Sequence, residues 1–168
     1  DMYYQAGKLS TAGSALRRDW RPGYTSTAVE RMAAEGAIVF AGLNMAEFAQ
    51  NPTGHNKTFG SCHNPWNPPY ITGGSSSGAG ASVAARFNYM ALGSDTGGSI
   101  RLPASACGVT GIKGTQSRVS RYGAMPLSFS HDNVGPLARD ARDCARVMAV
   151  ISGHDPNDPT SAREPVPD

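Results

Sequence analysis

Gly73-Gly74-Ser75-Ser76-Ser77-Gly78-Ala79-Gly80 and Gly93-Ser94-Asp95-Thr96-Gly97-Gly98-Ser99-Ile100-Arg101 are the two stretches that organise this chain. Glycine carries no Cβ, so each stretch can turn sharply and bring backbone N–H groups close to a bound oxygen. Serine supplies a nucleophile or a proton relay, but a free hydroxyl is weak and needs a base beside it. In Thr96-Gly97-Gly98-Ser99, consecutive N–H groups surround a serine, a nest suited to an oxyanion. Asp95 and Arg101 bracket that turn and are expected to pair across it, clamping its shape. Ser75 precedes Ser99 by 99 − 75 = 24 residues, with a small-residue helix and a strand between them to fold it back. Spacing alone leaves two readings open, a catalytic pair of loops and a pair of plain glycine-rich turns.

Around these loops the chain alternates helix and strand signals, which suggests an α/β layer architecture. Residues 1–26 are irregular and punctuated by Gly7, Gly13, Pro22 and Gly23. Thr27-Ala28-Val29-Glu30 has the form of a capping box, and Ala28, Val29, Met32 and Ala33 make a helical apolar stripe that ends at Gly36. Ala37-Ile38-Val39-Phe40-Ala41 predicts a short buried strand. Residues 50–74 form a long Asn-, Pro- and Gly-rich loop, of the kind that is functional or disordered in compact domains. A helix follows over Ala79–Arg86 and a strand at Met90–Leu92, with further strands expected at Val109–Ile112 and Val119–Ser120. Asp140 opens a last helix through about Ile151, ended by Gly153. His154 to Asp168 is polar and proline-punctuated, and is expected to be a linker or frayed tail.

Composition excludes more than it identifies. The 168 residues suffice for one domain with a core, and a net charge of +2 with 39% hydrophobic residues is ordinary for a water-soluble chain. Arg17-Arg18 is the one adjacent basic pair, too little for a nucleic-acid face. No apolar run approaches the roughly 20 residues of a membrane span, and no secretory leader stands at Asp1-Met2-Tyr3-Tyr4. Cys62, Cys107 and Cys144 lack the spacing of a disulfide framework or a metal site, and are read as buried free thiols in a reducing cytoplasm. His55 and His63 match no metal spacing either. Asn56-Lys57-Thr58 fits a glycosylation sequon but lacks a leader to give it meaning.

Two rival motifs overlap the first loop. Gly74-Ser75-Ser76-Ser77-Gly78 fits the G-x-S-x-G nucleophile elbow with Ser76 as nucleophile, which needs an acid and then a histidine downstream. His131 beside Asp132 has the wrong order for that, and His154 with Asp132 or Asp143 fits in order only. Gly78-Ala79-Gly80-Ala81-Ser82-Val83 lacks the third glycine of a dinucleotide fingerprint.

The chain resembles the amidase signature family of serine hydrolases from its start to about residue 153. The resemblance rests on both loops, Gly42-Leu43-Asn44-Met45-Ala46-Glu47-Phe48, Asn64-Pro65-Trp66-Asn67, and Gly108-Val109-Thr110-Gly111-Ile112-Lys113. It implies an α/β fold with a mixed sheet covered by helices on both faces, here incomplete, with residues 1–153 as the core part and 154–168 as a polar tail or continuation. It also implies hydrolysis of a carboxylic amide through a serine acyl-enzyme. Ser99 would be the nucleophile and Ser75, following a cis peptide bond, the relay toward a lysine. The N–H groups of Thr96, Gly97, Gly98 and Ser99 would form the oxyanion hole, with Ser76, Asp95 and Arg101 in support. Phe48, Asn51 and Gly74 are candidates for contact with a small-molecule amide substrate, the alternative for Phe48 and Asn51 being scaffold packing or loop capping. No metal or organic cofactor is implied; a homodimer and a cytoplasmic location are the expected setting.

The family's lysine is commonly followed at once by an acidic residue, and Asp1 stands as if directly after it. Lys8, Lys57 and Lys113 match no catalytic position, and a surface lysine keeps too high a pKa to act as a base. The isolated 168 residues are therefore expected to be inactive. Pro52-Thr53-Gly54-His55-Asn56 and Ala79 favour a stand-alone amidase. The alternatives are the glutamine-amidase A subunit of a tRNA-dependent amidotransferase and a non-catalytic scaffold.

Overall fold

A computed structural model describes residues 1–166. The sheet has three strands in the order β1-β3-β2, with β1 at Met90–Asp95, β2 at Thr110–Gly111 and β3 at Asn133–Ala138. Both pairings are antiparallel, β1 to β3 from Met90↔Ala138 to Asp95↔Asn133 and β2 to β3 from Thr110↔Ala138. The expected mixed sheet is thus an antiparallel one among the described strands. The expected strand at Ala37–Ala41 is not there: this run is irregular, with Ile38 87% and Phe40 65% exposed. Its apolar character finds no ladder partner, because a groove lined by Ile38, Val39, Phe40, Met90 and Leu92 separates it from β1. A strand needs a neighbour to satisfy its backbone, whatever its side chains prefer.

Helices cover both sheet faces, as expected. On one face lie α1 (Thr27–Ala34) and α4 (Ala141–Ile151), whose Ala28, Met32, Val147 and Ile151 close over Val134, with Met90 and Leu92 packed against them. On the other lie α2 (Ser77–Ala84) and α3 (Arg101–Cys107), whose Ala79, Val83 and Ala104 meet Ala91, Ile100 and Leu137. The alternation of Ala91 with Met90 and Leu92 along β1 follows the period of two that sends neighbouring side chains to opposite faces. Each fully buried aliphatic side chain, such as Ile100 or Leu137, contributes about 1.5–3 kcal/mol. A third cluster of Met2, Tyr4, Ala12, Met45, Ala49 and Met125 anchors the N-terminal segment.

Helix α2 is buried because its residues are small. A Cβ on Gly78 would meet Asn44 N at 2.6 Å, and one on Gly80 would meet Pro103 Cβ at 2.9 Å, so both glycines are there for close packing. Strand β3 escapes a sequence reading because Gly135-Pro136 argues against a strand interior. Pro136 is tolerated beside the two-residue β2, where its carbonyl accepts from Ile112 N–H at 3.1 Å. The Val119–Ser120 segment forms one bridge, Val119↔Ser152, in place of a strand.

Two further expectations are corrected by long-range hydrogen bonds. The predicted cap at Thr27 is not a cap: Ser26 precedes the helix, and Thr27 Oγ1 donates instead to Asp155 Oδ2 at 2.5 Å. Residues 155–161, after α4, are not frayed either. Asp155 Oδ2 also accepts from Ser120 Oγ, Asp158 Oδ2 accepts from Arg121 N–H at 2.8 Å, and Asp155, Asp158 and Ser161 are buried. Arg31 of α1 completes the attachment, donating from Nη1 to the carbonyls of Ile151, Ser152 and Gly153 and from Nη2 to that of His154.

Candidate functional site

The site grows from the end of β1. Past Asp95 the chain turns through Thr96–Ile100 into α3, and the fully buried Asp95 carboxylate holds that turn from inside. Its Oδ1 accepts from Gly98 N–H at 2.8 Å and Arg101 Nη2 at 2.9 Å. Its Oδ2 accepts from the N–H groups of Ile100 and Arg101 and from Arg101 Nε at 3.0 Å. Burial by itself would raise the Asp95 pKa, but Arg101 and the three N–H donors outweigh it and hold the carboxyl below its ordinary range. The pairing anticipated from the sequence is therefore bidentate, a geometry that arginine's planar fork favours.

Of the four backbone donors singled out in the sequence, Gly98 N–H is occupied by Asp95, while those of Thr96, Gly97 and Ser99 have no partner within the chain among the described residues. Gly98 has φ 128°, a conformation closed to residues with a Cβ, which lets the turn swing its donors round before α3 begins. Ser99 is half-buried at the far end of the turn.

The serine loop meets this turn backbone to backbone. Ser76 N–H donates to Ser99 C=O at 3.3 Å, and Ser75 C=O accepts from Ala46 N–H at 3.1 Å. The Gly74–Ser75 peptide is cis. Gly74 is closely enclosed: a Cβ there would lie 2.6 Å from both Asn51 O and Gly54 N. Ser76 Oγ accepts from Ser94 N–H at 3.2 Å and donates to Ser94 C=O, which pins this hydroxyl to β1. Ser75 Oγ differs, being buried without any hydrogen-bond partner among the described residues. A buried unpaired hydroxyl costs about 1–3 kcal/mol, and this state is shared by Ser26 Oγ.

The remaining predicted residues are placed plainly. Phe48 packs on the cluster around Met2 and Met45. Asn51 spends its carboxamide within its own loop, Oδ1 accepting from Thr53 and Gly54 N–H and Nδ2 donating to His55 C=O. No histidine hydrogen-bonds to Ser76 among the described residues. His131 lies against Ser130 Oγ and His154 against Ser161, both exposed, so the elbow reading lacks its base. Lys8, Lys57 and Lys113 are exposed. Burial, then the neighbouring Cys62, push the Cys107 thiol up to about 11, which leaves it protonated and unreactive at neutral pH.

Sequence reading assigned no support to Asp132 and Asn133, yet both reach the turn. Thr96 Oγ1 donates to Asp132 Oδ1, and Asn133 Nδ2 donates to Asp95 C=O at 3.4 Å. The Tyr3 hydroxyl donates to Gly93 C=O at 2.6 Å, two residues earlier on β1. A cleft of about 330 Å³ opens on the Thr96 side, lined also by Ser94, Asp132, Arg121 and Phe129, and does not include Ser75 or Ser99. Among the described residues no cluster of His, Cys, Asp and Glu is placed to hold a metal, and no helix is long and apolar enough to cross a membrane.

Comparison with known proteins gives the family. The sequence profile of the amidase family matches residues 1–168. The A subunit of the glutamyl-tRNA(Gln) amidotransferase of Anaeromyxobacter dehalogenans is 49% identical over 168 residues, which is all of this chain and 34% of that protein. Its counterpart in Moorella thermoacetica is 51% identical over 162 residues, or 33% of its length. The chain thus spans about a third of the length of the curated relatives it matches. Among solved structures, the corresponding polypeptide from Thermotoga maritima superposes with a TM-score of 0.94 at 38% identity, over 98% of this chain and 36% of that one. The peptide amidase of Stenotrophomonas maltophilia superposes at 0.92 with 35% identity, over 99% and 35%.

Proposed function

The chain belongs to the amidase family, and from that premise we propose that it carries the nucleophile and oxyanion half of a site that hydrolyses a carboxylic amide. Ser99 attacks the carbonyl carbon and becomes acylated. The tetrahedral oxyanion is received by the free N–H groups of the Thr96–Ser99 turn, donors that are already oriented and cost no reorganisation during the reaction. Ser75 passes the Ser99 proton toward a base and returns it to the departing amine, and water then cleaves the ester by the reverse relay. The observation that carries this reading is the Asp95-clamped turn set against a buried Ser75 hydroxyl with no partner. None of the three lysines of the sequence is placed to serve that hydroxyl as a desolvated base, so the 168 residues by themselves are inactive on this reading.

Within the family, the amidotransferase reading is the better supported one, in place of the stand-alone amidase favoured by residues 52–56 and Ala79. The A subunits of glutamyl-tRNA(Gln) amidotransferases match at 45–51% identity, and among solved structures one matches at 38% against 35% for the peptide amidase. On that reading the amide is that of glutamine and the product ammonia passes to a partner. At full natural length, a fluorophosphonate probe is expected to label Ser99, and Ser99→Ala to remove both label and turnover, by at least about 10³-fold. Label on Ser76 would restore the elbow reading, and a folded protein without label would make this a scaffold. Release of ammonia from glutamine in preference to a peptide amide supports the amidotransferase reading; the opposite preference returns the protein to the stand-alone amidases.

A further inference from the structure

The oxyanion turn is held from two sides, and the second holder lies outside the motif. Asp95 grips the turn from within, through Gly98, Ile100 and Arg101. The Thr96 end, where the free donors begin, is reached from the segment entering β3. There, Asp132 Oδ1 accepts from Thr96 Oγ1 at 2.5 Å, while Asp132 Oδ2 accepts from Leu127 N–H at 2.8 Å and Ser128 N–H at 2.9 Å. The carboxylate is therefore itself fixed by two backbone donors before it meets Thr96. Next to it, Asn133 Nδ2 ties the Asp95 carbonyl to the same segment and donates to His131 C=O at 2.8 Å. The register Asp95↔Asn133 explains the juxtaposition: β1 ends and β3 begins at the same level, so Asp132 necessarily faces the first residue of the turn.

We propose that Asp132 is a positioning residue for acyl transfer, setting the orientation of the Thr96–Ser99 donors through the Thr96 hydroxyl. This rests on the amide-hydrolysing reading above. A carboxylate suits the task because it accepts in two directions at once, from the 127–128 backbone on one oxygen and from Thr96 on the other. Donors that receive a transition-state charge must be held to within a fraction of an ångström, and slack of about 1 Å costs about 10²-fold in rate.

The test uses the protein at its full natural length, in complex with any partners that turnover needs. Thr96→Val removes the hydroxyl and keeps the shape; Asp132→Asn keeps one acceptor and loses the other. Each is expected to lower kcat about 10- to 100-fold with KM within about twofold, since the substrate's ground state does not use these donors. The double variant should be no slower than the worse single one, because both break one link, and Thr96→Ser should restore kcat. Additive losses, a change confined to KM, or no rescue by Thr96→Ser would overturn the proposal. If Asp132→Asn does not fold, Thr96→Val and Thr96→Ser decide it. Ser99→Ala run in parallel separates the two readings: an active Ser99→Ala overturns amide hydrolysis at this site. An inactive one beside unimpaired Thr96 and Asp132 variants overturns the positioning role alone.

Discussion

Two buried aspartates organise two regions of this molecule in different ways. Asp95 collects its donors locally, from Gly98, Ile100 and Arg101, three to six residues away, and shapes one turn. Asp155 collects hydroxyls from Thr27 and Ser120, 128 and 35 residues away, together with Asn157 N–H, and so ties three distant segments into one body. The first carboxylate is matched by a guanidinium and backbone donors, the second by neutral hydroxyls with Arg31 close by. On the proposed function Asp95 governs the presentation of donors to a reacting atom, whereas Asp155 holds the α1, 119–121 and 154–161 segments together.

Removing each carboxylate should show which of the two bears on activity. Asp95→Asn is expected to have the largest effect: the turn loses an acceptor for Ile100 N–H, Arg101 N–H and Arg101 Nε. At full natural length turnover should fall about 10²–10³-fold, and unfolding should be easier by about 3 kcal/mol. Full activity in a folded Asp95→Asn protein would show that the turn holds its shape without it. Asp155→Asn should affect stability alone, costing about 1–3 kcal/mol in denaturant unfolding with kcat retained within about twofold.

Acid sharpens the same contrast. Burial tends to raise the Asp155 pKa, but Ser120, Thr27, Asn157 N–H and Arg31 together depress it, and Asp158 is held low by Arg121 and Thr160 against the same burial. A carboxyl with a folded pKa below its unfolded value of about 3.9 stabilises fully above that pH and loses the contribution as pH falls through the folded value. The unfolding midpoint should therefore drop steeply below about pH 4, and the Asp155→Asn protein should show a shallower drop. An identical pH dependence in both proteins would remove Asp155 from the account. The smallest effect belongs to Thr27→Val, at about 1 kcal/mol, with Thr27→Ser close to unchanged. A loss as large as that of Asp155→Asn would mean that Thr27 does more than donate one hydrogen bond.

The same contrast explains what could be read from the sequence. The Asp95–Arg101 pair was legible because both ends lie within one motif, and α4 because Asp140 caps it, accepting from Asp143 N–H as the local pattern requires. Thr27 looked like a cap for the same local reason, and its true partner 128 residues away left no local trace. Asp132 was visible only as a companion of His131 or an acid for His154, since its contact with the turn depends on strand register. Strand β3 was hidden by Gly135-Pro136, and Ala37–Ala41 looked like a strand because side-chain preference says nothing of whether a neighbour is present. Local chemistry is written in short motifs, whereas pairing across the fold is decided by which segments meet.

Arg31 carries that distinction into evolution. Its guanidinium holds four consecutive positions, 151 to 154, entirely through main-chain oxygens. A clamp that reads backbone is indifferent to the side chains at Ser152 and His154, which are free to drift without loosening it. Position 31 has no such freedom, since lysine's single ammonium cannot span the same arc of carbonyls. Descendants of this sequence should therefore keep one arginine on α1 while positions 152 and 154 vary opposite it.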